Sequence, residues 1–239
     1  MDQKFNSQSK IGDIVAAFPG ASEIFKAYKV DFCCGGNRPL IEAIKEQQLN
    51  EGELLDKLNQ GLQKIQEEKG EDIDWRNEPL GKLVDHIINN HHTYVQRELP
   101  QISELTTKIL RVHGANHGEL AKVHRLFHTL KMELEQHLIK EEEVLFPLIK
   151  QYEQNPSKET LDRISKQVLE TEQEHDAAGD IIKELREITA QYTVPQDACT
   201  TYGLTYRKLV DFEADLFQHI HLENNILFKR LGIEANKSS

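Results

Sequence analysis

From residue 80 onward, apolar residues recur in steps of three and four along four long stretches, roughly 80–111, 118–152, 158–191 and 200–231. That spacing draws a single apolar stripe down an α-helix. The second stretch carries Leu126, Leu130, Leu134, Leu145 and Leu148, the third Leu161, Ile164, Val168, Ala178, Ile182 and Leu185, and the fourth Leu209, Phe212, Leu216 and Ile226. Pro100 and Pro147 fall inside periodic stretches and are expected to kink or end their helices locally. Asn155-Pro156-Ser157 opens the third helix, and Pro195 lies in the connection to the fourth. Four long helices with short connections predict an antiparallel four-helix bundle over 80–239.

Upstream the apolar runs are shorter, and residues 1–69 read as a small N-terminal helical domain. Ser9 is placed to cap a helix carrying Ile11, Ile14, Val15 and Phe18, which Pro19-Gly20 ends. Ser22 is placed to cap the next helix, with Ile24, Phe25 and Tyr28. Pro39 suits the first turn of a third, and Asn50 with Glu53 resembles a capping box for a fourth. Asp31-Phe32-Cys33-Cys34-Gly35-Gly36-Asn37 is a turn by composition. Residues 70–79, polar and holding the single Trp75, read as a linker. The fold class is all-α, and the polar tail from Gly232 to Ser239 is expected to be mobile.

The bundle stripes are interrupted by polar residues in a repeated way. His137-x3-Glu141 is followed by Val144-Leu145-Phe146, and His219-x3-Glu223 by Ile226-Leu227-Phe228. A spacing of four stacks imidazole and carboxylate on one helix face. Both pairs lie on the apolar stripe and should point inward. On the third helix His175 shares the inward face. On the first, the series Val84, Ile88, His92, Val95, Leu99, Ile102 stays apolar, whereas the series through His91 ends polar, so His92 is the inward residue. Burying two glutamates among four histidines is costly unless cations neutralise them. The expected metal ligands are therefore His92, His137, Glu141, His175, His219 and Glu223. Four imidazoles and two carboxylates are too nitrogen-rich for calcium or magnesium and too many for one tetrahedral zinc. They suit two ions with bridging carboxylates and positions left for water or an oxo group, with di-iron ahead of di-manganese and di-zinc. His86, His91, His113, His117, His124, His128 and His221 are expected at the surface or behind the ligands. Glu133, Glu142, Glu143, Glu172 and Glu174 are expected on solvated faces or the approach to the site.

Composition narrows the classes. Leu, Ile, Glu, Gln and Lys dominate, with 13 Gly and 7 Pro in 239 residues, which favours helix. A net charge of −11 with no basic face argues against nucleic acid. No apolar run approaches the roughly 20 residues that span a bilayer. The first residues lack the apolar core of a signal peptide, and three cysteines make no disulfide framework, so a cytoplasmic protein is expected. Cys33-Cys34 has two readings. The Gly pair frees the backbone and nearby helix N-termini would lower a thiol pKa, which suits a reactive pair; the alternative is a helix C-cap with two small buried residues. A bond between the two adjacent thiols is disfavoured by ring strain. Cys199 is expected to be structural.

These residues resemble the hemerythrin-like family, and more closely the iron–sulfur cluster repair di-iron proteins (the repair-of-iron-centres family). The resemblance runs through Asp31-Phe-Cys-Cys-Gly-Gly36, Asp74-Trp75-Arg76, Asp85-His-Ile-Ile88 with His92, His137-Leu-Ile-Lys-Glu141-Glu-Glu-Val-Leu-Phe-Pro147, Glu174-His175-Asp-Ala-Ala-Gly179, Ala198-Cys199-Thr200 and His219-x3-Glu223-Asn-Asn-x-Leu-Phe228. One departure is Lys229 where the first copy has Pro147. The likeness implies the same six ligands, two non-haem iron ions, an oxo or hydroxo bridge between them, and both glutamates bridging with two histidines on each iron. It also implies repair of iron–sulfur clusters damaged by nitric oxide or oxidants, by supplying iron rather than by enzymatic turnover. Its partners would be the damaged iron–sulfur proteins and a second copy of the chain in a homodimer, with Cys33 and Cys34 as a thiol relay. The rival readings are a di-iron redox protein that reduces nitric oxide or peroxide, and an oxygen-binding hemerythrin.

Overall fold

The computed structural model describes residues 4–68 and 74–232, with side chains from 65 to 68 excepted. The start of the linker and the polar tail expected to be mobile lie outside the described residues. Among those described the fold is all-α: an isolated bridge between Lys10 and Pro39 is the sole β-type pairing. None of these helices is long and apolar enough to cross a membrane.

The chain divides into two compact units, Met1–Leu83 with Gln218–Ser239, and Val84–Phe217. In the first, α1 (Ile11–Ala17), α2 (Ala21–Ala27), α3 (Leu40–Glu46) and α4 (Glu51–Glu68) enclose a core of Ile11, Ile14, Phe25, Phe32, Leu40, Leu54 and Leu58, all fully buried. Two expected caps are absent. Ser9 Oγ accepts from Asn6 N instead, and Ser22 Oγ donates to Pro19 O, because the helices start at Ile11 and Ala21. Asn50 does cap α4, accepting from Glu53 N at 3.1 Å, while the Glu53 carboxylate turns away to Tyr28 and Lys57. The unit also holds the chain's last helical turns, which pack on α1: Lys229 reaches Asp13 at 2.6 Å and Arg230 donates to Trp75 O at 2.8 Å. Lys229, the departure from Pro147, is thus a tie to α1.

The second unit carries most of the bundle. α5 (Leu80–His86) passes through a π-helical turn, π1 (Ile87–His92), into α6 (Thr93–His113). α7 (Glu119–Lys140) passes through π2 (Glu141–Leu145) into α8 (Phe146–Gln154). α9 (Lys158–Ile188) follows, capped by Ser157, which accepts from Thr160 N at 3.1 Å. α10 (Thr200–His221) begins in this unit and ends in the other, continuing through π3 (Leu222–Leu227) to α11 (Phe228–Arg230). α6 packs on α7, and α7 and α8 on α9. Neither proline ends a helix: α6 runs on through Pro100, and Pro147 follows directly on π2 at the start of α8. Buried polar ties lock the layers, including Lys208 to Glu98 at 2.6 Å and Arg186 to Glu213.

Candidate metal centre

Three of the long helices are interrupted by π turns, and each interruption falls on a predicted ligand: His92 ends π1, Glu141 opens π2, and Glu223 lies in π3. A π turn adds a residue to the α-helical repeat and shifts the phase of the turns after it, a distortion that recurs at functional sites. It explains why the first helix buries both His91 and His92, at 8% and 1% exposure, although a straight helix faces only one inward. The sequence expectation for His91 is corrected: it is buried, with Nδ1 3.0 Å from Asp215 Oδ1.

In the second unit, His92, His137, Glu141 and His175 come together. Nε2 of His92 and Nε2 of His137 each lie 3.3 Å from Glu141 Oε2, and His175 Nε2 lies 3.2 Å from His137 Nε2. The donor atoms of His137, Glu141 and His175 are all within 4.8 Å of one another. Glu141 is 1% exposed, yet neither of its oxygens accepts a hydrogen bond among the described residues. A bare carboxylate at that depth is costly unless a cation faces it.

Two acids expected on solvated faces or the approach to the site lie, partly exposed, against the histidines. Glu142 Oε1 lies 2.8 Å from His92 Nδ1, and Glu174 Oε2 lies 2.8 Å from His137 Nδ1. An ionised carboxylate only accepts, so each imidazole donates from Nδ1 and turns the lone pair of Nε2 towards Glu141. This is the outer-layer arrangement that orients metal-binding histidines. The His137 hydrogen bond, helped by Lys140, holds the Glu174 carboxyl down at about 2 against the opposing effect of burial. Phe146 stacks on the His92 ring at 5.4 Å and fixes its plane. The sequence signal for both acids is adjacency: Glu142 follows a ligand and Glu174 precedes one.

In the first unit, His219 and Glu223 stand one turn apart, with Nε2 and Oε1 at 3.1 Å and both side chains fully buried. His221, expected near the surface or behind the ligands, is 1% exposed; it meets the Phe32 ring at 6.0 Å, and burial pushes its pKa down to about 4. Asn225 Nδ2 donates to Phe32 O at 3.2 Å and to Cys33 O at 3.0 Å, clamping the cysteine turn. Gly12 and Gly36 line that amide so closely that a Cβ on either would stand 2.4 or 2.3 Å from Asn225 Oδ1. Asp31 closes the turn, its Oδ1 accepting from Cys33 N and Gly35 N. Cys33 is buried and Cys34 half-buried, neither in a disulfide, with their sulfurs 3.8 Å apart. The expected lowering of a thiol pKa does not hold for Cys33. Burial comes first, then Cys34 and Asp31, and together they push it well above the ordinary value.

Imidazoles with fixed tautomers around a naked carboxylate fit a borderline first-row cation such as iron. Comparison with known proteins agrees. Residues 83–231 match the family described as Hemerythrin HHE cation binding domain, and residues 7–61 match a Domain of Unknown function (DUF542). The chain is 35% identical over 231 residues to the Probable iron-sulfur cluster repair protein of Haemophilus influenzae, covering 94% of this chain and 97% of that one. It is 36% identical over 220 residues to the Iron-sulfur cluster repair protein YtfE of Escherichia coli O81, covering 92% and 94%. The protein of the same name from Escherichia fergusonii is 35% identical over the same shares. With the bundle, the inward His–Glu donors and the N-terminal cysteine turn on one chain, the protein belongs to the iron–sulfur cluster repair family of hemerythrin-like proteins.

Proposed function

We propose that this protein restores iron–sulfur clusters damaged by nitric oxide or oxidants by supplying iron from a di-iron centre in its bundle. In this reading, as the family resemblance implies, His92, His137, Glu141, His175, His219 and Glu223 would hold the iron, the two glutamates being shared between the ions. The observation that carries it is Glu141, a fully buried carboxylate without a hydrogen-bond donor, faced by two imidazoles whose lone pairs are turned towards it. Bound iron would supply exchangeable metal and open coordination positions for small oxidants. The chain's own residues set how firmly the metal is kept. Glu142 and Glu174 hold the rings, Phe146 keeps one of them planar to its neighbour, and the apolar stripes exclude bulk water. A cavity of about 380 Å³ beside His137 and His175, lined also by Glu133, Lys140, Glu170 and Glu174, offers an acidic path for a departing cation.

We read residues 1–69 as the thiol-bearing domain, 70–79 as the linker and 80–239 as the iron-holding bundle. Cys34, the more exposed thiol of the pair, is the relay candidate, backed by Cys33. The family resemblance extends the reading to a homodimer in the cytoplasm. The test is metal analysis of the full chain together with reactivation of a nitric oxide-damaged iron–sulfur enzyme under anaerobic conditions. The expected result is about two irons per chain, as six ligands with shared carboxylates require, and reactivation that consumes them in proportion. One tightly held zinc and no iron would remove the reading. Catalytic consumption of nitric oxide or peroxide with a supplied reductant, without cluster recovery, would replace it with the redox reading.

A further inference from the structure

Cys199 reads as structural from the sequence, but its surroundings are not those of a structural thiol. It is exposed, and it immediately precedes α10, whose first N–H groups face it. Its Sγ lies 3.1 Å from Nε2 of His113, at the end of α6. The segment is held in place two residues earlier, where both Asp197 oxygens lie 3.1 Å from His117 Nε2. His117 Nδ1 is in turn 3.3 Å from Glu119 Oε1, and Tyr202 meets the His113 and His117 rings edge-on at 5.5 and 5.6 Å. The result is a cysteine and a histidine from two helices, sharing a proton in contact with solvent, with the imidazole positioned by an aromatic ring. The nearest proposed ligand on α7, His137, is 18 residues beyond Glu119, about 27 Å of helix away. The pair is therefore separate from the metal site.

We propose that Cys199 and His113 form a reactive thiol site that accepts small disulfides by thiol–disulfide exchange. The Cys199 thiolate attacks one sulfur of a disulfide RS–SR. A Cys199–SR bond forms as the S–S bond breaks, and the departing RS⁻ takes the proton held by His113. The products are one mixed disulfide and one free thiol, so no further oxidant or reductant is needed. The electrostatics agree with the geometry. The His113 hydrogen bond, and after it the backbone N–H groups of Tyr202 and Thr201, lower the thiol to about 7. About half of Cys199 is then thiolate at neutral pH, against a few per cent for an ordinary cysteine. A thiol titrating near ambient pH is also the best attacking group. The N-terminal pair offers the contrast, since Cys33 is buried and pushed the other way.

The test uses the full iron-loaded chain with oxidised glutathione and with dithiobis(nitrobenzoate), following rates between pH 5.5 and 9 and mapping the modified peptide by mass spectrometry. Cys199 is expected to be modified first, about tenfold faster at pH 7 than the same cysteine in the denatured chain, with a rate midpoint near pH 7. A full chain carrying Cys33→Ser and Cys34→Ser should keep that fast phase, and Cys199→Ser should abolish it with iron content unchanged. His113→Gln should slow the reaction several-fold at pH 7 and move the midpoint upwards. Comparing each variant with its own denatured chain keeps the reading independent of changes in stability. The proposal is overturned if Cys199 reacts no faster folded than denatured, if His113→Gln leaves the midpoint in place, or if Cys34 is modified first.

Discussion

Glu174 gives the sharpest check on how the centre is built, because it touches no proposed metal position and should still control iron retention. Its carboxylate accepts from His137 Nδ1 at 2.8 Å and pairs with Lys140, and its side chain is 33% exposed. Outer partners of this kind are worth about 10–100-fold in metal affinity, or about 1.4–2.8 kcal/mol. Glu174→Gln keeps an acceptor but loses the charge that roughly doubles such a hydrogen bond, so the effect should sit near tenfold. Glu174→Ala leaves the imidazole free to rotate and should approach a hundredfold. The fold has little at stake, because a partly exposed pair with Lys140 contributes at most about 1 kcal/mol. The assay is competition for iron with a chelator of known affinity, run beside thermal unfolding of the metal-free proteins. Glu143→Gln serves as the control, since Glu143 is an exposed neighbour of the same motif. If both Glu174 variants hold iron as firmly as Glu143→Gln, the carboxylate does not orient His137 and the argument from tautomers fails. If the metal-free Glu174→Gln protein unfolds many degrees lower, the residue is structural and the affinity loss means something else.

Glu141→Gln should empty the centre without weakening the metal-free protein, because it removes a buried charge that accepts no hydrogen bond there; a metal-free melting temperature lowered by several degrees would make Glu141 a structural ion-pair partner of His92 and His137. Gly36→Ala should cost about 1–3 kcal/mol by overpacking, since its Cβ would stand 2.3 Å from Asn225 Oδ1. In an Asn225→Ala background that clash is gone, so denaturant unfolding should find the double variant no worse than Asn225→Ala alone. His117 should titrate above its usual 6.5 by NMR, chiefly because Asp197 hydrogen-bonds to it, and Asp197→Asn should lower it, leaving the smaller part that Glu119 contributes. The sign comes from both partners: the raised histidine contributes fully below 6.5 and is lost above its folded value, while the lowered Asp197 contributes above 3.8, so this tie is strongest between those limits. Hydrogen-exchange protection of the 190–199 segment, corrected for the intrinsic rate, that does not fall as pH rises from 6.5 past the folded value of His117 would refute it.

The legible and the hidden parts of this site divide along the physics of the α-helix. A stripe argument works where the repeat is regular, and His137, His175 and His219 are all buried as their stripes require. It fails where the backbone changes its repeat. Nothing in Ile87-Ile-Asn-Asn-His-His92 announces a π turn, so periodicity forces a choice between His91 and His92 where the structure buries both. Glu142 and Glu174 are hidden for a different reason: their partners come from other helices, 50 and 37 residues away, and periodicity carries no information across helices. The cysteines show the same limit from the other side. Two glycines after Cys33-Cys34 report backbone freedom, not solvent or charge, and the turn they permit is closed by Asp31 and clamped by Asn225, 192 residues from Cys33, which buries the first thiol. Cys199 has no such signature, yet a histidine 86 residues earlier gives it the lower pKa. Reactivity here depends on which side chains of distant helices meet, and the local motif does not report that.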